Sequence, residues 1–186
     1  VASYTSSHGA SLYIDSKSRL IFPNNAVARP DGSPYNGEVH VMAYPIYGDD
    51  PQLSDKMPGA LIGEDESGST VVLGSFGMMI VELQADNGDI LQIAEGKTVE
   101  IELAIANNQL SQALATIPLW YFDEEKGIWV EDGRAELQGN NYVGQVSHFT
   151  PWNVDIPLEL VNWEASFVDS EGRPVQNVEV CLSMED

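Results

Sequence analysis

The 186-residue chain carries a single cysteine, Cys181, so it can form no internal disulfide and no cysteine-based zinc site. Basic residues are scarce as well: 8 lysines and arginines stand against 29 acidic residues, for a formal net charge of -21. A surface of that sign repels phosphate backbones and anionic lipid, which argues against nucleic-acid binding. No apolar run approaches the ~20 residues that a membrane-spanning helix needs, and no signal peptide is visible. No Asn-x-Ser/Thr sequon occurs. His8, His40 and His148 are scattered, and no Gly-x-Ser-x-Gly nucleophile turn is present. Helical periodicity is nearly missing too, since only "NNQLSQALA" (107–115) reads as a helical turn.

What the chain does have is the strand period of two. "EVHVMAY" (38–44), "MIVEL" (79–83), "TVEIELAI" (98–105) and "AELQGNNYVGQVSHF" (135–149) all alternate. In the third of these, Val99, Ile101, Leu103 and Ile105 share one face, while Thr98, Glu100 and Glu102 share the other. That is a half-buried antiparallel strand with a wet outer face. Turn signals stand between the runs: "NG" at 36–37 and 87–88, "EG" at 95–96, "EKG" at 125–127 and "DG" at 132–133. "ADNGD" (85–89) reads as a type I′ hairpin turn.

These patterns predict an all-β chain: an antiparallel β-sandwich with a long acidic loop and a C-terminal β-hairpin. We divide it into a polar, partly flexible leader (1–17), the sandwich (18–158) and the hairpin (159–186), which opens a following module. The Pro-led connector "PLELVN" (157–162) marks the boundary. The acidic loop spans 47–69, and its Asp49, Asp50, Asp55, Glu64 and Asp65 are candidate ligands for calcium, a hard cation that prefers oxygen. They lack the Asp-x-Asp-x-Asp-Gly spacing of a preformed calcium loop. "PLWYFDEEKGIW" (118–129) could offer Trp120 and Trp129 as a sugar platform, but core residues on both sides of a hairpin explain the block more simply.

The densest run of unusual residues is "VSHFTPWNVD" (146–155). Alternation puts Val146, His148 and Thr150 on one face and Ser147 and Phe149 on the other, so the run reads as the last strand of the sandwich, with Trp152 capping the core. Its chemical alternative is self-cleavage. Thr150 Oγ would attack the carbonyl of Phe149 in an N-to-O acyl shift, with His148 as proton carrier. Pro151 restricts Thr150 to extended conformations, which limits how that bond can be strained.

Several blocks carry a family resemblance. "RLIFPNNAV", "MPGAL", "LGSFGMMIVEL", "LQIAEGKTVEIELAI", "IPLWYFDEEKGIWVEDGRAEL" and "YVGQVSHFTPWNVD" resemble, in that order, a module of large secreted and surface proteins. The module occurs in bacterial surface lipoproteins, with a related region in cartilage intermediate layer protein. "VDSEGRPVQNVEV" (168–180) resembles the opening of a carboxypeptidase-regulatory-like β-sandwich. A more distant likeness, through "LIFPNNAV" (20–27), is to the β-sandwich of ankyrins and netrin receptors. Some relatives of that fold, and a self-processing nucleoporin, cut themselves at His-Phe-Ser, where this chain has His148-Phe149-Thr150.

The resemblance implies an exported, non-enzymatic structural or adhesive module at the cell surface or in the matrix. Its partners would be neighbouring domains of the same chain or other surface proteins. Two alternatives stand beside it: self-processing at Phe149–Thr150, and an adhesin that binds glycan or uses calcium. No other cofactor is expected.

Overall fold

A computed structural model describes residues 2–158 and 164–180. The expected all-β architecture is what forms. The N-terminal strands are β1 (Ala2–Thr5), β2 (Ala10–Tyr13), β3 (Arg19–Phe22), β4 (Val27–Ala28) and β5 (Glu38–Tyr47). The middle of the chain gives β6 (Ile62–Glu64), β7 (Thr70–Ala85), β8 (Ile90–Ile93) and β9 (Val99–Ala104). Then follow β10 (Thr116–Asp123), β11 (Ile128–Gln138), β12 (Asn141–Val146) and β13 (Trp152–Leu158). The helical turn expected in 107–115 is a 3-10 turn, Leu110–Gln112.

The main path of hydrogen-bonded strands runs β1-β5-β7-β13-β10-β11-β12-β9-β3-β2. Its two outermost strands follow one another in sequence through the 3-10 turn Ser6–His8. The sheet therefore turns back on itself and closes a sandwich over one large core. Phe76 of β7 meets Tyr142 of β12 edge-on across that core, with ring centroids 5.6 Å apart. Tyr4 of β1 stacks at 4.9 Å on Phe22 of β3. Ala2–Thr5 and Ala10–Tyr13 are thus strands of the sheet, the first paired to Val41–Glu38 and the second to Phe22–Arg19, and not a leader beside it. Their polar residues alternate with inward ones because the strands lie at the sheet's ends, where one face stays wet.

Two glycines mark places where the ladder slips. On β7, Asn153 of β13 faces Met78 and Asp155 faces Ser75, so β7 holds one residue more than its partner. Gly77 occupies the slip at φ 127, and a Cβ there would come within 2.6 Å of the Ile46 carbonyl oxygen. The bulge reverses the facing of β7: Leu73 and Met78 lie in a second, smaller core, while Phe76 and Met79 lie in the first. On β11, Pro118 faces Arg134 and Trp120 faces Glu131, with Gly133 at φ 80. "DG" at 132–133 is therefore a bulge inside a strand and not a turn. In "ADNGD" only Gly88 has positive φ, so the turn is of type I with a bulge glycine, not type I′, which needs two such residues.

The expected C-terminal hairpin falls partly outside the described residues, as do Trp163, Cys181 and most of the connector after Leu158. Among the described residues, the 164–180 stretch forms a turn closed by one bridge, Val168 to Pro174. Asp169 holds that turn by accepting from the backbone N–H groups of Glu171 and Arg173 at 2.9 and 3.0 Å.

Candidate functional site

The run 146–155 is not one strand. β12 ends at Val146, and the links Ser147 to Pro151 carry the chain across to β13. Pro151 explains the change, because it cannot donate to a ladder and holds Thr150 extended. Its carbonyl accepts the Phe122 N–H at 3.1 Å, which hooks the link to the end of β10. β13 then enters between β7 and β10, so Trp152 begins a central strand and not a closing one.

Within the link the sequence-predicted trio comes together. Thr150 Oγ1 lies 3.3 Å from His148 Nδ1. The imidazole is wedged between Tyr121, edge-on at 4.9 Å, and Trp152, tilted at 4.9 Å. The Trp152 indole N–H donates to the His148 carbonyl at 2.9 Å and fixes the turn. Phe149 is partly buried against the large core, 6.1 Å from the Phe22 ring. Burial holds the His148 pKa below its usual range, against a weaker opposing pull from Asp132. A neutral imidazole beside a hydroxyl can accept a proton from it. Residues 148–151 contain no cis peptide bond and no left-handed residue.

The stretch 47–69 is not a free surface loop. It contains a short helix α1 (Leu53–Lys56) and β6, and it lies as a lid over the outer face of the sheet. β6 pairs in parallel with β11 (Gly63 opposite Trp129) and antiparallel with β7. Its Met57 joins Ile46, Leu73 and Met78 in enclosing Trp120 and Trp129, both 0% exposed, as the second core. Gly63 is needed for that closeness: a Cβ would stand 2.9 Å from the Trp120 ring. The tryptophans are therefore core residues and not a sugar platform. The short β6 was hidden in the sequence because three residues among Gly and Pro carry no readable period.

The acids of this lid are engaged separately. Asp50 accepts from Lys56 Nζ at 2.6 Å and from the Gln52 N–H at 2.9 Å, which together hold its carboxyl below the usual range. Asp65 is lowered by the Ser67 hydroxyl and by backbone N–H groups of its own turn. Glu64 pairs with Lys126 at 3.1 Å, while Asp49 and Asp55 point to solvent. Among the described residues, no three His, Cys, Asp or Glu side chains converge as a metal site.

Two residues without any sequence signal of their own complete the picture. Asn153 and Asp155, both 0% exposed, lie on the face of β13 opposite Trp152 and Val154. Asn153 stands opposite Met78 and Trp120, so this face belongs to the second core. The Trp120 indole N–H donates to the Asp155 main-chain carbonyl at 2.9 Å. Alternation in "WNVD" is the one sequence signal that places them together.

No family model matches the chain, and no solved structure matches it. Among curated proteins it is similar to cartilage intermediate layer protein 2 of Mus musculus, at 26% identity over 127 residues. That similarity covers 64% of this chain but only 10% of the mouse protein, so the chain matches a small part of a much longer relative.

Proposed function

We propose that the chain is a non-enzymatic structural module of a long, multidomain protein exported to the cell surface or matrix. One observation carries the reading: the chain is similar to about a tenth of a protein named for a cartilage layer. The use of its residues supports it. The tryptophans that resembled a binding platform fill a core, and of the lid acids Asp50 and Glu64 pair with lysines. Such a module spaces and joins its neighbours instead of turning over a substrate. The test is a glycan-array screen of the full chain together with thermal unfolding with and without calcium. No glycan signal and an unchanged midpoint are expected; a specific glycan bound at nanomolar affinity would favour the adhesin reading and defeat this one.

A second reading is favoured by the 3.3 Å approach of Thr150 Oγ1 to His148 Nδ1. In it the Thr150 oxygen adds to the Phe149 carbonyl as His148 takes the hydroxyl proton. The C–N bond breaks, the proton passes to the departing amine, and water hydrolyses the ester to a Phe149 carboxylate and a Thr150 amine. Intact mass under denaturing conditions decides it. Fragments 1–149 and 150–186, lost in Thr150→Ala, support cleavage; one undivided species after days at neutral pH sinks it.

A further inference from the structure

The second core encloses one side-chain pair that its surroundings leave incompletely satisfied. Asn153 Nδ2 donates to Asp155 Oδ2 at 2.8 Å. The two remaining oxygens, Asn153 Oδ1 and Asp155 Oδ1, are buried without a hydrogen-bond partner. An ionised carboxylate only accepts, so with Asp155 charged both oxygens stay orphaned and a full charge stands in an apolar wall.

The neighbours offer little to hold such a charge. From β7, the Ser75 hydroxyl and the Phe76 N–H favour the ionised form, but neither closes a hydrogen bond on Oδ1. From β10, the Trp120 indole is committed to the Asp155 main-chain carbonyl. Beside the 3-10 turn, the Gln109 amide donates to the Ser75 carbonyl at 2.8 Å. No charged side chain acts on the carboxyl from any of these elements.

We infer that Asp155 is a neutral carboxylic acid in the folded protein, its Oδ1–H donating to Asn153 Oδ1 to close a reciprocal acid–amide ring. One proton then satisfies both orphaned oxygens and removes the buried charge. Burial acts in the same direction, pushing Asp155 from 3.8 up to about 8. The centre of the sheet, where β13 joins β7 to β10, is therefore linked to proton uptake.

The sign follows from the raised value. Between pH 3.8 and about 8 the unfolded chain has lost this proton and the folded chain keeps it. Asp155's contribution to the folding constant thus falls roughly tenfold for each pH unit across that window, and levels off above it.

Asp155→Asn separates the possibilities, because its amide can donate to Asn153 Oδ1 and accept from Nδ2 with no proton required. In denaturant titrations of the full chain, the wild type should stand highest relative to the variant at the acid end, near pH 5. The ratio of wild-type to variant folding constants should then fall about tenfold per unit from pH 5 to 8. A pH-independent ratio, with the variant at least about a hundredfold weaker throughout, would overturn the inference, since it means that the charge itself is required. Infrared spectra of the wild type give a measure independent of the variant's folding. A protonated-carboxyl band at pH 6.5 that disappears above about pH 8 is expected. Absence of that band at pH 6.5 would also overturn the inference.

Discussion

The indole N–H of Trp120 donates to the main-chain carbonyl of Asp155 at 2.9 Å, whereas the indole N–H of Trp129, in the same core, has no partner. The two buried tryptophans are thus alike in volume and unlike in bonding.

That difference predicts unequal costs for the same substitution. Trp120→Phe removes ring volume and orphans a buried carbonyl, while Trp129→Phe removes volume and also an unsatisfied donor. Trp120→Phe should be the more destabilising by about 1–3 kcal/mol, the cost of an unmade buried hydrogen bond. Urea unfolding of the two variants measures it, and equal midpoints would contradict it.

The lid should be intolerant of one methyl group. Gly63→Ala puts a Cβ 2.9 Å from the Trp120 ring and 3.3 Å from the Trp129 carbonyl oxygen, neither of which has room to retreat. A loss of about 1–3 kcal/mol is expected, as for other overpacked sites. Gly63 is not left-handed, so this loss is steric alone; Gly32→Ala, at φ 82 with no atom within 4 Å, gives the contrasting case of backbone strain without a clash.

His148 gives an acid-side dependence of opposite sign to that of Asp155. Its folded pKa lies below its usual 6.5 because burial disfavours the imidazolium. As pH falls below 6.5, the unfolded chain takes up this proton more readily than the folded chain does. His148's share of stability is then lost with acidification, and His148→Asn should flatten that part of the pH profile. An unchanged profile between pH 6.5 and 5 would show that the ring is not buried as described.

Asp50 and Lys56 should behave as a coupled pair. Asp50→Asn and Lys56→Met are each expected to lower the thermal midpoint and to raise protease sensitivity within 47–61. The double variant should lose less than the sum of the two. Full additivity would show that the 2.6 Å contact does not hold the lid.

The strands were legible where one face is wet. β9 reads correctly because Glu100 and Glu102 mark its outer side, and β5 because Val39 and Val41 alternate with polar residues. Legibility failed where the second face is also covered. Period two puts Asn153 and Asp155 opposite Trp152 and Val154, but it cannot report that a distant segment, 47–69, lies over them. It failed again at Gly77, since one extra residue in β7 exchanges its two faces and a uniform alternation cannot be drawn through it. Alternation puts His148 and Thr150 on one face of a strand, whereas their contact arises in a link that has left the strand.

The position of β13 has a consequence for how the chain assembles. Among the described residues it is the last named strand in sequence but a middle one in space, flanked by β7 and β10. Before residues 152–158 leave the ribosome, the main path has no strand to join β1-β5-β7 to β10 and the strands beyond it. Among the described residues, only the three of β6 pair with strands on both sides of that gap. Joining the two parts of the sheet must wait for residues 152–158, and long-range pairings of this kind close slowly. A chain stalled or truncated shortly before Trp152 would expose two long unpaired strand edges, those of β7 and β10, which are templates for pairing with other chains.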